Sequence, residues 1–422
     1  MRARIALWAA LAMLFGCGAK SALDKPPPAP CEDDGQPPPI AACDEWSVGP
    51  EVVLDDRRDV LRLGASAHAG GVAVAYLAHP HAWNAAELWL AELDPQGRPR
   101  AAPWRFGHAP TMTDPTGPPM IWGAATMEPR AVGGCEIHAL GRIWVSNLEW
   151  RRDWPRRNAL AIRDRDGSTR TMELDADEEV WDVRRDGDEL SWLSTVLYED
   201  AEGRRGGPLS VVRAARRGQE LARITLQSLP GGYSGGNLRR QVLREGGFVL
   251  ALTASEGVLG AGYDDEGALT FEVPLGEGCL GAASSAVRDD GLWLVWSEGD
   301  DCGASGFASA PDALRFARVE VGGEIDAHGA FELEALRPID AFELAWIGGS
   351  YLVPLMDGDA AFVGIFDADG RQRDRLPLGP KVGDAEVIAT PEGAVVVAAR
   401  ATGPLETGPL VAYPLRCSDR AP

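Results

Sequence analysis

Short apolar runs of nearly equal length recur along the chain at an interval of roughly 54 residues. They are VAVAYLA from Val72, IWVSNLE from Ile143, LSWLSTV from Leu190, FVLALTA from Phe248, LWLVWSE from Leu292, YLVPLMD from Tyr351 and VVVAARA from Val395. Rich in β-branched and aromatic residues, they predict strands buried on both faces, with little helical periodicity anywhere. A tight-turn pair precedes most of them: Gly70-Gly71, Asp186-Gly187, Gly246-Gly247, Asp290-Gly291, Gly348-Gly349 and Glu392-Gly393. Glycine suits a hairpin turn because such turns require positive φ.

A second punctuation falls later in each unit, as the tetrads DPQG (94), DRDG (164), ARRG (215), DDEG (264), DAHG (326) and DADG (367). A further strand follows each. The unit is therefore four strands: one before the first turn, the apolar run, a third before the tetrad and a fourth after it. The seventh unit has no fourth strand, because the chain stops where its tetrad would fall. The stretch WSVGPEVVLD, Trp46 to Asp55, has the missing pattern, and its expected partner is LVAYPLRC, Leu410 to Cys417.

This arrangement resembles the closure of seven-bladed β-propellers, in which an N-terminal strand completes the last blade. The resemblance implies an all-β fold, a ring of four-stranded blades over about residues 46–417 with no open sheet edge. No WD or kelch signature is present, so the resemblance is to the architecture and not to a named subfamily.

Composition adds a compartment. Arg2 and Arg4 open a leader whose apolar run, Ile5 to Phe15, is too short to cross a bilayer. It ends in Leu14-Phe15-Gly16-Cys17, which resembles the lipobox of bacterial lipoproteins. The resemblance implies cleavage after residue 16, lipidation of Cys17 and, with Gly18 next, the outer membrane. Residues 17–43 carry KPPPAP and QPPPI and read as a semi-rigid tether. The propeller then occupies 44–417, and 418–422 form a tail. The formal charge of −22 becomes −24 when Arg2 and Arg4 leave with the leader. So acidic a chain repels nucleic acid and anionic lipid surfaces, which leaves the N-terminal lipid as its membrane contact.

Six cysteines remain beyond Cys17, and an exported chain permits disulfides. Pairing of the terminal strands brings Cys43 to Cys417. Propeller geometry places Cys279 and Cys302 on one face and leaves Cys31 for Cys135, with Cys31–Cys43 as the rival. No CxxC spacing supports a metal site.

In propellers, ligands bind the face formed by loops between blades and between second and third strands. There the sequence offers His79-Pro80-His81-Ala82-Trp83-Asn84, then Trp150, Arg151, Arg152, Asp153, Trp154, Arg156 and Arg157, then Tyr198, Glu199, Asp200, Arg204 and Arg205. Indole faces stack on sugars or cations, and the guanidinium fork grips carboxylate or phosphate. The bland alternative is ion pairing of these arginines with nearby carboxylates. Glu298, Asp300, Asp301, Asp357 and Asp359 read as a solvated acidic face rather than a cation site. The Asp tetrads read as turns and not calcium loops, lacking the third Asp and the twelfth-position Glu. His79, His81 and His108 have no spacing that fixes a zinc site. Gly232-Tyr233-Ser234-Gly235-Gly236 lacks the strand-then-helix context of a nucleophile elbow.

The expectation is a monomeric, non-catalytic binding or scaffolding lipoprotein that needs no cofactor. Its Trp/Arg loops would hold an envelope protein or an anionic glycan. The alternative is a carbohydrate-active enzyme using Glu199, Asp200 or Asp153 in a cleft lined by Trp83 and Trp154.

Overall fold

The computed structural model describes residues 43, 45–68, 71–79, 87–107, 127–128, 137–143, 157–163, 169–174, 178–186, 189–196, 198–199, 205–206, 208–215, 220–226, 239–244, 247–254, 257–276, 279–288, 291–299, 311–320, 323–339, 345–402 and 408–418. Among them the chain is all-β, with no helix. Successive strands form antiparallel sheets in chain order. The second sheet comprises Met127–Glu128, Ile137–Ile143, Arg157–Arg163 and Thr169–Leu174. The third comprises Glu178–Asp186, Glu189–Val196, Leu209–Ala215 and Glu220–Thr225. Arg239–Arg244, Gly247–Ala254, Gly257–Asp264 and Leu269–Gly276 make the fourth. Cys279–Arg288, Gly291–Gly299, Ala313–Glu320 and Ile325–Glu332 make the fifth. In the sixth, Leu336–Pro338 and Ala345–Ile347 share the edge of Ser350–Asp357, followed by Ala360–Phe366 and Gln372–Pro380.

The first and seventh units are joined in one eight-stranded terminal sheet. Val382–Thr390, Gly393–Arg400 and Gly408–Ser418 supply its C-terminal part. Glu45–Val48 then pairs with Gly408–Ser418, setting Trp46 opposite Cys417 and Val48 opposite Leu415. Val52–His68 continues along the same strand, with Val52 opposite Ala412 and Asp55 opposite Leu410. The expected pairing of 46–55 with 410–417 is therefore present. The disulfide between Cys43 and Cys417 closes it, with the Cα atoms 5.7 Å apart. That bond removes Cys31–Cys43 from the alternatives.

Two details differ from expectation. The terminal stretch is two strands: the Gly49 amide still donates in register to the Pro414 carbonyl (2.7 Å), Pro50 then has no N–H to give, and pairing resumes at Val52 opposite Ala412 with the register shifted. The second of them does not stop at Asp55. It runs unbroken to His68 through register shifts between Val53 and Val60, then pairs with Gly71–His79, which is followed by Glu87–Leu93 and Trp104–Gly107. One strand thus serves as the last of the seventh unit and the first of the first.

The apolar runs are buried on both faces, and alternate residues enter different cores. Val395 and Val397 pack with Leu63, Val74 and Tyr76 of the first unit. Ala394, Val396 and Ala398 pack with Leu352, Val363 and Ile365 of the sixth sheet. Further cores lie between the fifth and sixth sheets around Phe316 and Tyr351, between the fourth and fifth around Leu294 and Trp296, and between the third and fourth around Val211 and Tyr263. The fourth, fifth and sixth sheets and the seventh unit are thus each sandwiched between their neighbours in sequence, which is why their runs lack inside–outside alternation.

The turns follow the glycine signals. An added Cβ at Gly71, Gly247 or Gly393 would stand 1.9, 1.9 and 2.1 Å from the carbonyl oxygen of Leu93, Tyr263 and Leu415, in equivalent positions of three units. Two expectations are corrected. DAHG at 326 is not a turn, since Asp326 to Gly329 lie inside Ile325–Glu332. The turn is at Glu320–Gly323, where Gly323 donates to the Glu320 carbonyl (2.9 Å), the bond seen between Gly97 and Asp94. In the second sheet the paired strand is Ile137–Ile143, so the run starting at Ile143 meets it only in its first residue, and 144–149 lie outside the described residues.

Candidate functional site

The Trp/Arg loops fall largely outside the described residues. Trp83, Trp150, Arg151, Arg152, Trp154, Arg156 and Arg204 lie there, as do Cys17, Cys31, Cys135, Cys302, Asp153, Asp200, His81, His108 and residues 232–236. Arg157, Tyr198, Arg205, Glu199, His79 and Cys279 have their backbones in described strands and their side chains outside the description. What the structure does fix is where those segments are anchored. Residues 80–86 leave from His79 and return at Glu87, at the opposite end of the sheet from the Gly71 turn.

The described polar chemistry concentrates where the chain crosses from the seventh unit to the first. Asp55 is buried at this crossing. Its carboxylate accepts from the Arg57 amide (3.0 Å), the Arg58 guanidinium (2.5 Å) and the Tyr76 hydroxyl (2.6 Å). The Arg58 guanidinium lies 3.3 Å from the centre of the Trp89 ring, a cation–π contact. Burial, and then the hydrogen bond to the Asp55 carboxylate, hold the Tyr76 phenol far above its ordinary range.

Two more carboxylates line the neighbouring strand Val382–Thr390. Asp384 accepts the Leu63 amide at 2.9 Å, and Glu386 accepts the Ala65 amide. Both side chains are buried. A third contact closes the other flank: Glu51 accepts from the Tyr413 hydroxyl (2.7 Å) and pairs with Arg400. The Glu51 hydrogen bond raises the Arg400 guanidinium pKa, and burial followed by Glu51 raises that of Tyr413.

Elsewhere the carboxylates are likewise engaged. Glu298, expected on a solvated acidic face, is instead buried and takes a 3.0 Å bond from Arg315. Its position at the end of Gly291–Gly299, opposite Ala313, carries it into the sheet rather than into the loop. Asp357 and Asp359 are exposed, as expected, and Asp300 and Asp301 lie outside the described residues. The tetrad aspartates close their own turns. Asp94, Asp264 and Asp367 each accept the amides two and four residues on, at 2.7–3.0 Å. One oxygen of each is thereby committed to the backbone, the pattern of an Asx turn. Among the described residues no cluster of three or more His, Cys, Asp or Glu is arranged to hold a metal ion.

Sequence reasoning missed this seam of Asp55, Asp384 and Glu386. The available signal was two acids alternating within an otherwise apolar strand, in VGDAEVIAT.

No protein-family model matches the chain, and no curated protein matches it. Among solved structures it is similar to the β-propeller domain of Myceliophteria thermophila Cps50 (Swd1), at 13% identity and TM-score 0.48, covering 86% of this chain and 99% of that one. It is similar also to an acylaminoacyl peptidase of Pyrococcus horikoshii, at 8% identity and TM-score 0.45, covering 85% of this chain and 54% of that one. A cobalt-substituted Synechocystis ACO follows at 11% identity and TM-score 0.40, covering 81% and 95%. Likenesses this distant carry no functional argument.

Proposed function

We propose that the chain is a seven-bladed β-propeller closed through its terminal sheet, and that it acts as a non-catalytic binding or scaffolding lipoprotein of the bacterial outer membrane. Lipid on Cys17 anchors it, residues 17–43 form the tether, and the Trp/Arg loops hold an anionic glycan or an acidic envelope protein. The observation that carries this reading is the Cys43–Cys417 bond across the paired chain ends. A structural disulfide belongs to an oxidising compartment, in keeping with an exported chain. The bond also fastens the strand next to the tether onto the sheet, as a rigid platform on a leash requires.

Asp55, Asp384, Glu386 and Glu298 accept from neighbouring donors within the fold. They secure the scaffold, and recognition falls to the loops, the usual division of labour on a rigid β framework.

The test has two arms. Cells fed labelled palmitate should incorporate it, and Cys17→Ala should abolish incorporation; no label in the unaltered chain refutes the lipoprotein. The purified chain should be retained on an immobilised anionic polysaccharide or cross-link to one envelope protein. Replacing Trp150, Arg151, Trp154 and Arg156 together by Ala should remove that interaction at unchanged thermal stability. Unchanged binding by the quadruple variant refutes the loop site.

A further inference from the structure

Cys43, the first described residue, is fastened at one end of the terminal sheet. Its amide donates to the Gly348 carbonyl (3.1 Å), in the turn between Ala345–Ile347 and Ser350–Asp357. Its sulfur is bonded to Cys417, and the adjacent Arg416 pairs with Gly393, where the second strand of the seventh unit begins. Nearby, Gln96 donates to the Glu392 carboxylate, which sets the Asp94–Gly97 turn of the first unit against the first turn of the seventh. Turns of both kinds, from the sixth, seventh and first units, therefore gather around the point where the tether meets the sheet.

The other end of the same sheet is remote. Gly393–Arg400 runs away from Cys43 for eight residues, about 27 Å at ~3.4 Å per residue. It ends beside Lys381, whose carbonyl accepts the Ala401 amide at 2.9 Å. The first unit runs in the same sense, because Leu63 and Ala65 meet Asp384 and Glu386 in parallel order. His79 and Glu87, which flank the segment carrying Trp83, accordingly stand at the end far from Cys43.

We infer that the molecule is held by its turn-bearing end and presents its loop-bearing end to the aqueous compartment. An anchor N-terminal to Cys43 draws the side of Gly348, Glu392 and Gln96 toward the membrane. The ends marked by His79, Glu87, Arg400 and Lys381 then face a water-borne macromolecule rather than lipid. This rests on the reading of the N-terminus as the membrane attachment. It gives the acidic chain a consistent geometry, since the surface that meets a partner is the one farthest from anionic headgroups.

The experiment anchors the full chain to vesicles through a six-histidine tag replacing residues 1–17, so attachment does not depend on lipidation. The vesicles contain a nickel-chelating lipid and a headgroup-borne quencher. A fluorophore is placed at residue 98, on the turn-bearing end, or at residue 402, on the loop-bearing end; both are exposed and belong to the terminal sheet's surroundings. Residue 98 should lose a clearly larger fraction of its emission than residue 402. Equal losses, or a larger loss at 402, overturn the inference. Because the tag supplies the anchor, failure of Cys17 to take up acyl label would refute the lipoprotein reading and leave this result standing by itself.

Discussion

Asp384 accepts the backbone amide of Leu63 at 2.9 Å although the two stand 321 positions apart in the chain. Glu386 repeats the contact with Ala65 at the same separation. Beyond Val60, Val52–His68 has left Gly408–Ser418 and pairs with Gly71–His79, and its Leu63 and Ala65 amides go to side-chain carboxylates instead of to a second strand. The two carboxylates cap those amides and join the first strands of the units at either end of the chain.

Removing an acceptor leaves a buried N–H unsatisfied, which costs about 1–3 kcal/mol. Asp384→Ala and Glu386→Ala should each lower the free energy of unfolding by that amount in urea titrations. Asp384→Asn keeps a carbonyl oxygen in reach and should recover most of the loss. Equal losses for Asn and Ala would mean that the hydrogen bond is not what matters at the site.

The Cys43–Cys417 bond closes nearly the whole chain into a loop. Its removal should cost about 2–5 kcal/mol, acting largely on the unfolded ensemble. Cys43→Ala, Cys417→Ala and the double variant should be destabilised alike, since any one of them removes the bond. The pairing of Glu45–Val48 with Gly408–Ser418 should survive, visible as slow hydrogen exchange at Arg416 and Leu415.

Four tyrosines set an alkaline limit. Burial raises the phenols of Tyr76, Tyr263, Tyr351 and Tyr413 above the ordinary phenol value of about 10, Tyr263 to about 12. The folded chain holds these protons more tightly than the unfolded one. Their stabilising contribution is thus complete below pH 10, and it declines as pH rises through 10 toward the folded values. Unfolding free energy should fall steeply above pH 10, and phenolate absorbance from these residues should appear together with loss of structure. Ordinary titration near pH 10 with the fold intact would contradict this.

The glycine turns separate backbone strain from lack of space. Gly393 sits at φ +147° with Leu415 oxygen 2.1 Å from the position of an added Cβ, whereas Gly349 sits at φ +76° in open space. Gly349→Ala carries the left-handed penalty alone, about 1–2 kcal/mol. Gly393→Ala adds a backbone clash and should cost more, with both read from thermal melts on the same protein.

Much of the fold was legible because the repeat is written in residues with strict backbone demands. Gly71, Gly247 and Gly393 mark one turn, and Asp94, Asp264 and Asp367 mark another through their bonds to the following amides. The fifth unit was misplaced because its turn begins with Glu320, which forms the same backbone bonds without the Asp signal, while Asp326 stands in a strand. The terminal pairing was legible from a strand missing at one end and surplus at the other. The continuation of that strand to His68 was not, since Asp55 and Arg58 look like turn residues until Tyr76 and Trp89 arrive from the next strands to hold them. Composition singles out the Trp/Arg loops, but composition cannot fix the relative positions of side chains borne on separate connections.

The most direct measurement is disulfide mapping of the exported chain, digested without reduction. The account predicts one cross-linked peptide pair joining Cys43 to Cys417, which requires both ends of the chain to lie in one sheet. Cys43 bonded to Cys31, or Cys417 recovered as a free thiol, would contradict it.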